Sequence, residues 1–309
     1  MRIASVTWKG FLGLADGSLD LARDGALPAD LVVVTGPPGS GKTRLLDVII
    51  AGKERVAPYG PGPRLDDVIG KDGTSAKITI EWWLSEDERK VVGAPRPLLG
   101  TEAIYTRTGP AELAPDPAIG VILERYDHEP QHGKVDYIPA DRGLPPHVTS
   151  VRDPVYEQRR VRLSRGPDKY AGIVKLAEQT MLRRTDDAKI AELKELFAKL
   201  CPHLRLRGVS AAGDIEFGRE GGPPRPVSKL SMSEKQAFMI AATMVLVGVH
   251  HSVVLYDSPE LYLSGAEARR QFEVLRAFAP TNQWIVATSS EDIVAMAAHR
   301  NLVRLGAPS

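Results

Sequence analysis

Val32–Thr43 reads VVVTGPPGSGKT. Three valines run into a loop of three glycines and two prolines that ends on Lys42 and Thr43. The apolar run Leu31–Thr35 predicts a buried strand. Thr43–Ile50, with Leu45, Leu46, Ile49 and Ile50 on one face, predicts a helix. In a strand, glycine turn and helix of this kind, Gly39 and Gly41 let the backbone curl so that its N–H groups point inward at phosphate oxygens. The helix adds its positive N-terminal end. Gly36, Pro37, Pro38, Gly39, Ser40, Gly41, Lys42 and Thr43 together match G-x-x-x-x-G-K-[ST] in full. Lys42 is expected to reach the β and γ phosphates and the Thr43 hydroxyl to ligate Mg²⁺. Arg44, the next residue, is counted with the nucleotide-binding set, and the implied cofactors are ATP and Mg²⁺.

A phosphate loop needs a second magnesium-holding element, a buried strand ending in aspartate. Val253–Asp257, VVLYD, fits that need and lies 215 residues beyond Lys42. The earlier candidate, Ile122–Asp127, carries two charges where burial is required. Asp257 is therefore the expected partner of Thr43 at the metal. The distance is far greater than AAA+ ATPases use, so an AAA+ ATPase or a P-loop kinase is the lesser alternative.

Lys229–Gln236, KLSMSEKQ, precedes Asp257, with Ser231 lying 26 residues ahead of it. It resembles the signature motif of ABC-type ATPases. Asp257–Leu263, DSPELYL, resembles the DEPELHL stretch of the SMC-related and OLD-like ATPases of that class. Tyr137–Arg142, YIPADR, sits where the family has its Q-loop, and Trp284–Ser290, WIVATSS, where it has the switch segment. The chain thus resembles an ABC-type ATPase head of the SMC/OLD-like group without a long coiled-coil arm. The resemblance implies an α/β P-loop fold with a mixed central sheet, an antiparallel β subregion and an inserted helical lobe. It also implies a homodimer that sandwiches two ATP molecules, with Ser231, Ser233 and Glu234 of one head facing the nucleotide of the other. A partner effector in DNA maintenance or phage defence is a further implication.

Three positions depart from the family pattern. Ser258 stands where the catalytic glutamate follows the aspartate, Ser289 where the switch histidine stands, and Ser233 where the signature glycine stands. Serine is a poor base, and loss of a general base costs about 10²–10⁴ in rate. Glu260 matches the second acid of DEPE. The catalytic set is therefore Ser258, Glu260 and Ser289, with weak hydrolysis expected and a hydrolysis-dead scaffold subunit as the alternative. Ser231–Glu234 also has the S-x-x-E form of a helix capping box, and Ser231 serves both readings.

Elsewhere, Ile3–Trp8 alternates like an edge strand, and Glu54–Thr74 reads as a Pro/Gly-rich surface loop. Lys77–Leu84, Glu102–Arg107 and Gly120–Tyr126 read as antiparallel strands, with Trp82 and Trp83 on opposite faces. Asp136–Ile138, Ile215–Phe217, Ser252–Tyr256, Trp284–Thr288 and Leu302–Leu305 are further strands. Asp186–Leu200, Ser233–Val247 and Ala266–Phe278 are helices. The expected division is a nucleotide-binding lobe over 1–150, a helical lobe over 151–207 and the rest of the nucleotide-binding lobe over 208–309.

Composition narrows the rest. The chain has 309 residues, 43% hydrophobic and 26% charged, with a net charge of +1, so no global attraction to nucleic acid or anionic membrane is built in. Val151–Arg207 is locally basic, with 14 Lys/Arg against 8 Asp/Glu. Its residues Arg152, Arg159, Arg160, Arg162 and Arg165 are the candidate contacts to phosphate backbones or an acidic partner. Cys201 is the sole cysteine, which excludes internal disulfides and a multi-thiolate zinc site. His250-His251 lacks acids or thiols at ligand spacing. Ala237–Val249, the longest apolar run, is shorter than the roughly 20 residues of a membrane span, and the N-terminus has no apolar signal region. A soluble, cytoplasmic protein without membrane insertion is expected.

Overall fold

The computed structural model describes residues 1–22, 27–108, 117–144, 153–183, 186–211 and 213–306. An antiparallel sheet forms first, from β1 (Arg2–Lys9) and β2 (Gly17–Asp20). The chain then enters β3 (Leu31–Thr35), α1 (Lys42–Val56) and α2 (Leu65–Ile69). It returns to the first sheet as β4 (Ser75–Trp83), α3 (Glu86–Val92) and β5 (Leu98–Thr106), giving the strand order β2-β1-β4-β5. Next come α4 (Pro117–Glu124) and β6 (Val135–Ile138). The helical lobe follows as α5 (Pro154–Arg160), α6 (Ala171–Arg183) and α7 (Asp187–Leu200). A small antiparallel sheet of β7 (Arg205–Val209), β8 (Ile215–Gly218) and β9 (Arg225–Pro226) leads into α8 (Met232–Leu246). The chain ends with β10 (Val253–Asp257), α9 (Gly265–Phe278), β11 (Gln283–Ala287), α10 (Glu291–Val294) and β12 (Leu302–Arg304).

The second large sheet has the order β12-β3-β11-β10-β6, and every pairing in it is parallel. Parallel strands covered on both faces read as continuous apolar runs, and each residue of β3, β10 and β11 is buried. β4 alternates instead, with Ala76, Ile78, Ile80 and Trp82 on its buried face. α1 lies between the two sheets, touching β4 and β5 on one side and β10 and β11 on the other. That sandwich explains why its buried surface extends beyond a single stripe, from Leu45 through Ala51. At Gly52 a β-carbon would stand 2.7 Å from Ile80 Cδ1 and 3.0 Å from Ile78 Cγ2, so the absence of a side chain sets the helix-to-sheet distance.

The helical lobe packs on α8 through α6 and α7. Phe197, Phe217 and Phe238 meet edge to face there, with centroids 5.1 to 6.3 Å apart. A further attachment is a fully buried ion pair, Arg162 Nε to Asp136 Oδ2 at 2.9 Å, which ties the end of α5 to β6.

Several expectations change. β1 lies between β2 and β4 and is an interior strand. Gly120–Tyr126 is not a strand: Ile119, Ile122 and Leu123 are buried at helical spacing in α4, and short apolar runs carry no decisive period. The 54–74 loop contains the end of α1 and the short α2. α3, closed by a Ser85–Glu88 capping box, falls in a stretch without an assignment. Trp82 is fully buried and donates to Thr101 Oγ1 at 2.9 Å, while Trp83 is half-buried.

Candidate functional site

Thr35, Asp257 and Ala287 end adjacent parallel strands at one rim of the sheet, the edge where open α/β sheets place their ligands. Between Thr35 and α1 the loop turns on Gly39 (φ 79°) and Gly41 (φ 91°), left-handed conformations that glycine adopts without steric cost. Gly41 caps α1 with no side chain, and the first turn contains no acid. The helix therefore presents its first N–H donors without an acceptor of its own. Lys42 Nζ reaches across the loop to the carbonyls of Gly36 at 2.8 Å and Pro37 at 3.0 Å. The Ser40 hydroxyl is buried without a partner. Arg44 is turned away, donating to Leu12 O at 3.0 Å and Asp67 O at 2.8 Å and pairing with Asp47 at 3.2 Å.

Thr43 and Asp257, 214 positions apart, meet directly: Thr43 Oγ1 donates to Asp257 Oδ2 at 2.9 Å. The Tyr137 hydroxyl donates to the same oxygen at 3.4 Å, and Ser258 Oγ to Oδ1 at 3.3 Å. Asp257 is buried, and its carboxylate oxygens accept from these three neutral hydroxyls, with no direct ion pair to it among the described residues. Hard oxygen donors of this kind suit Mg²⁺.

Ser258 has φ 50°. The turn that carries it is held from outside its own strand. Ser258 N–H donates to Ala287 O at 2.8 Å. Arg142, buried, donates to Asp257 O at 2.7 Å, Ser258 O at 2.8 Å and Pro139 O at 2.9 Å, and to Gln236 Oε1 of α8 at 3.2 Å. Glu260 does not point at the loop. Its two oxygens accept from Thr288 Oγ1 at 2.7 Å and from Ser289 N–H at 2.8 Å, which links the turn after β10 to the segment after β11. Ser289 itself is exposed.

Ser231 caps α8 in a reciprocal box with Glu234: Glu234 N–H donates to Ser231 Oγ at 3.3 Å and Ser231 N–H to Glu234 Oε2 at 2.8 Å. Glu234 is buried and also binds Arg225 at 3.0 Å and His203 at 3.1 Å. Its carboxylate is thus engaged within the chain, at the base of the helix end. Ser231 and Met232 are exposed at that helix end, and Ser233 is partly so.

Among the described residues, three of the five candidate arginines of the basic run are engaged by acids of the chain. Arg162 is fully buried against Asp136. Arg165 is committed to Asp47 and, at 3.1 Å, to the Tyr137 hydroxyl. Arg160 pairs with Glu157 at 3.0 Å. Arg159 is exposed, and Arg152 lies outside the described residues. The grips of Arg142 and Tyr137 on the Asp257 turn escaped sequence reading. Their segment was located by its place in the chain, but nothing local shows that its side chains turn back toward a strand more than 110 residues away.

No family model matches the chain, and no curated protein matches it in sequence. Among the described residues no helix is long and apolar enough to cross a membrane. Solved structures do match. An SMC head bound to the C-winged helix domain of ScpA superposes with a TM-score of 0.61 at 16% identity, covering 96% of this chain and 92% of that one. The SMC head with an extended coiled coil bound to the C-terminal domain of ScpA, derived from Pyrococcus furiosus, gives 0.60 at 16% identity with the same coverage. The SMC head domain from Thermotoga maritima gives 0.52 at 14% identity, again over 96% and 92%. At such identities the likeness bears on architecture alone, and over nearly its whole length the chain has the P-loop ABC-type ATPase fold of SMC heads.

Proposed function

We propose that this chain is an ABC-type ATP-binding head that dimerises on Mg-ATP and acts as a nucleotide-dependent switch with weak hydrolysis. The observation that carries the reading is the contact between Thr43 and Asp257 beneath a glycine loop whose helix N-terminus has no cap. Gly36–Thr43 would hold the phosphates, with Lys42 exchanging its loop carbonyls for phosphate oxygens, and Thr43 and Asp257 would hold the metal. A bound Mg²⁺ supplies neutralisation of charge on the phosphates. The residues fit that group, because Asp257 is buried with neutral donors only.

Weak hydrolysis follows from what surrounds the position of an attacking water. Ser258 offers a hydroxyl already turned to Asp257, and both oxygens of Glu260 are engaged with Thr288 and Ser289. A base would have to break those bonds. Dimerisation would use the exposed end of α8 at Ser231, Met232 and Ser233 together with Tyr262, exposed at φ 67° just after the Asp257 turn. A protein partner belongs to the same proposal, since two of the similar SMC heads were solved with a ScpA domain bound. An effector role in DNA maintenance or phage defence is the context we assign it. The lobe limits 1–150, 151–207 and 208–309 are part of this reading.

Light scattering with and without Mg-ATP tests it. The wild type should gain mass or tighten as a dimer with ATP, and Lys42→Ala should bind no ATP and show no change. A wild type indifferent to ATP overturns the dimer. Single-turnover hydrolysis tests the rest: Ser258→Glu should raise the rate by about 10² or more, and a wild type already turning over at that rate overturns weak hydrolysis.

A further inference from the structure

Five residues from four separate parts of the fold close a circuit around the first turn of α1. Thr43 of α1 donates to Asp257 of β10, and Tyr137 of β6 donates to the same carboxylate oxygen. Arg165, in the helical lobe just past α5, donates through Nε to the Tyr137 oxygen at 3.1 Å. The same guanidinium pairs with Asp47, one turn beyond Thr43 on α1, and lies 5.7 Å from the centre of the Tyr137 ring. Asp47 is fixed on its other oxygen by Arg44 at 3.2 Å.

The order of donors matters. A phenol hydroxyl has one proton, and its oxygen here already accepts the Arg165 N–H. The Tyr137 proton is therefore directed at Asp257 Oδ2, the acceptor within reach. Without Arg165 the hydroxyl would be free to rotate, and Asp257 would lose one of its three donors for part of the time. Asp47 sets the guanidinium in turn, so the helical lobe reaches the buried carboxylate through two side chains.

We infer that Arg165 is a positioning residue that acts through Tyr137 to orient the Asp257 carboxylate for a divalent cation, which makes metal capture at this site depend on the docking of the helical lobe. The inference rests on the proposed Mg-ATP site. It concerns how tightly the metal is held and is independent of whether ATP is hydrolysed. Groups that hold a metal ligand from behind change metal affinity by about 10–100-fold when removed.

The test is the affinity for ATP, measured by calorimetry in Mg²⁺ and again in EDTA, for wild type, Tyr137→Phe, Arg165→Met and the double variant. Tyr137→Phe keeps the ring and its packing, and thermal melts establish that each variant is folded. The gain in affinity due to Mg²⁺ should fall about tenfold in each single variant. Affinity in EDTA should stay within about twofold of wild type, since the phosphate loop is untouched. The double variant should lose little more than either single, because both cut one circuit. An unchanged Mg²⁺ gain, equal weakening with and without Mg²⁺, or fully additive losses would each overturn the inference while leaving nucleotide binding in place. A wild type that binds no ATP in either condition would instead overturn the proposed function, and this inference with it.

Discussion

Ser231 is one residue with two readings, and the structure makes the local one concrete. Its hydroxyl and the Glu234 carboxylate satisfy two donors at the start of α8, so the sequence S-x-x-E is a working capping box regardless of nucleotide. Ser231→Ala should cost about 1 kcal/mol of stability in nucleotide-free protein, read as a lowered midpoint in denaturant. If the midpoint is unchanged and only ATP-dependent dimerisation suffers, the cap has no energetic weight. Individual positions are legible where a motif prescribes them: the strand, loop and helix start at 31–50 and the partner strand of Asp257 can be read directly. Glu260, Arg142 and Arg165 were not legible in that way. What each does is decided by an acceptor or donor on a distant strand or lobe, and spacing along the chain contains no record of it.

At the level of elements, α1 is governed by contact on two sides. Gly52 faces Ile78 and Ile80 of β4 at distances a methyl group cannot occupy without displacement. Gly52→Val should therefore push α1 from the antiparallel sheet and destabilise the fold by about 1–3 kcal/mol, as overpacking in a filled core does. A chemical-denaturation curve for that variant showing wild-type stability would mean the sheet yields freely. The elements that were misread are the short ones. α4 has eight residues and its apolar positions fit either period, α2 lies among prolines and glycines that read as loop, and α3 is a charged stretch with no assignment. Longer elements with sustained patterns, such as α7 and α9, have no such ambiguity, and β3 is marked by the loop that follows it. The interior place of β1 depends on β2 pairing along its outer side, which its own alternation does not reveal.

Over the whole molecule, a net charge of +1 conceals buried charge. Asp136, Arg162 and Lys169 lie inside the seam between β6 and the helical lobe, with His128 and the buried Lys134 beside them. Burial, reinforced by Arg162, Lys134 and Lys189, pushes the His128 imidazole down to about 4 from its ordinary 6.5. The folded state thus binds that proton more weakly than the unfolded chain does. Its stabilising share is complete above about pH 6.5 and is lost as pH falls from there through 4, at up to about 1.4 kcal/mol per pH unit. Melting curves between pH 7 and 4 should show a shallower decline for His128→Asn than for wild type. Parallel declines would mean His128 titrates normally in the folded state. The basic run at 159–165 shows why such charge misleads at the scale of the sequence. Its density suggested a polyanion-binding face, yet two of its arginines are spent on internal aspartates.

Arg142 holds the carbonyls of Asp257 and Ser258, so the backbone of that turn is braced by a guanidinium from elsewhere. The two carbonyls at this turn are thus held by a group that does not depend on the side chain of residue 258. In evolutionary terms, under the proposed function, such a scaffold would let the residue at the catalytic-base position change with little effect on binding. Under the proposed function, the step from a hydrolysing head to a slow switch at position 258 would then be a change of side chain on a turn whose carbonyls stay held.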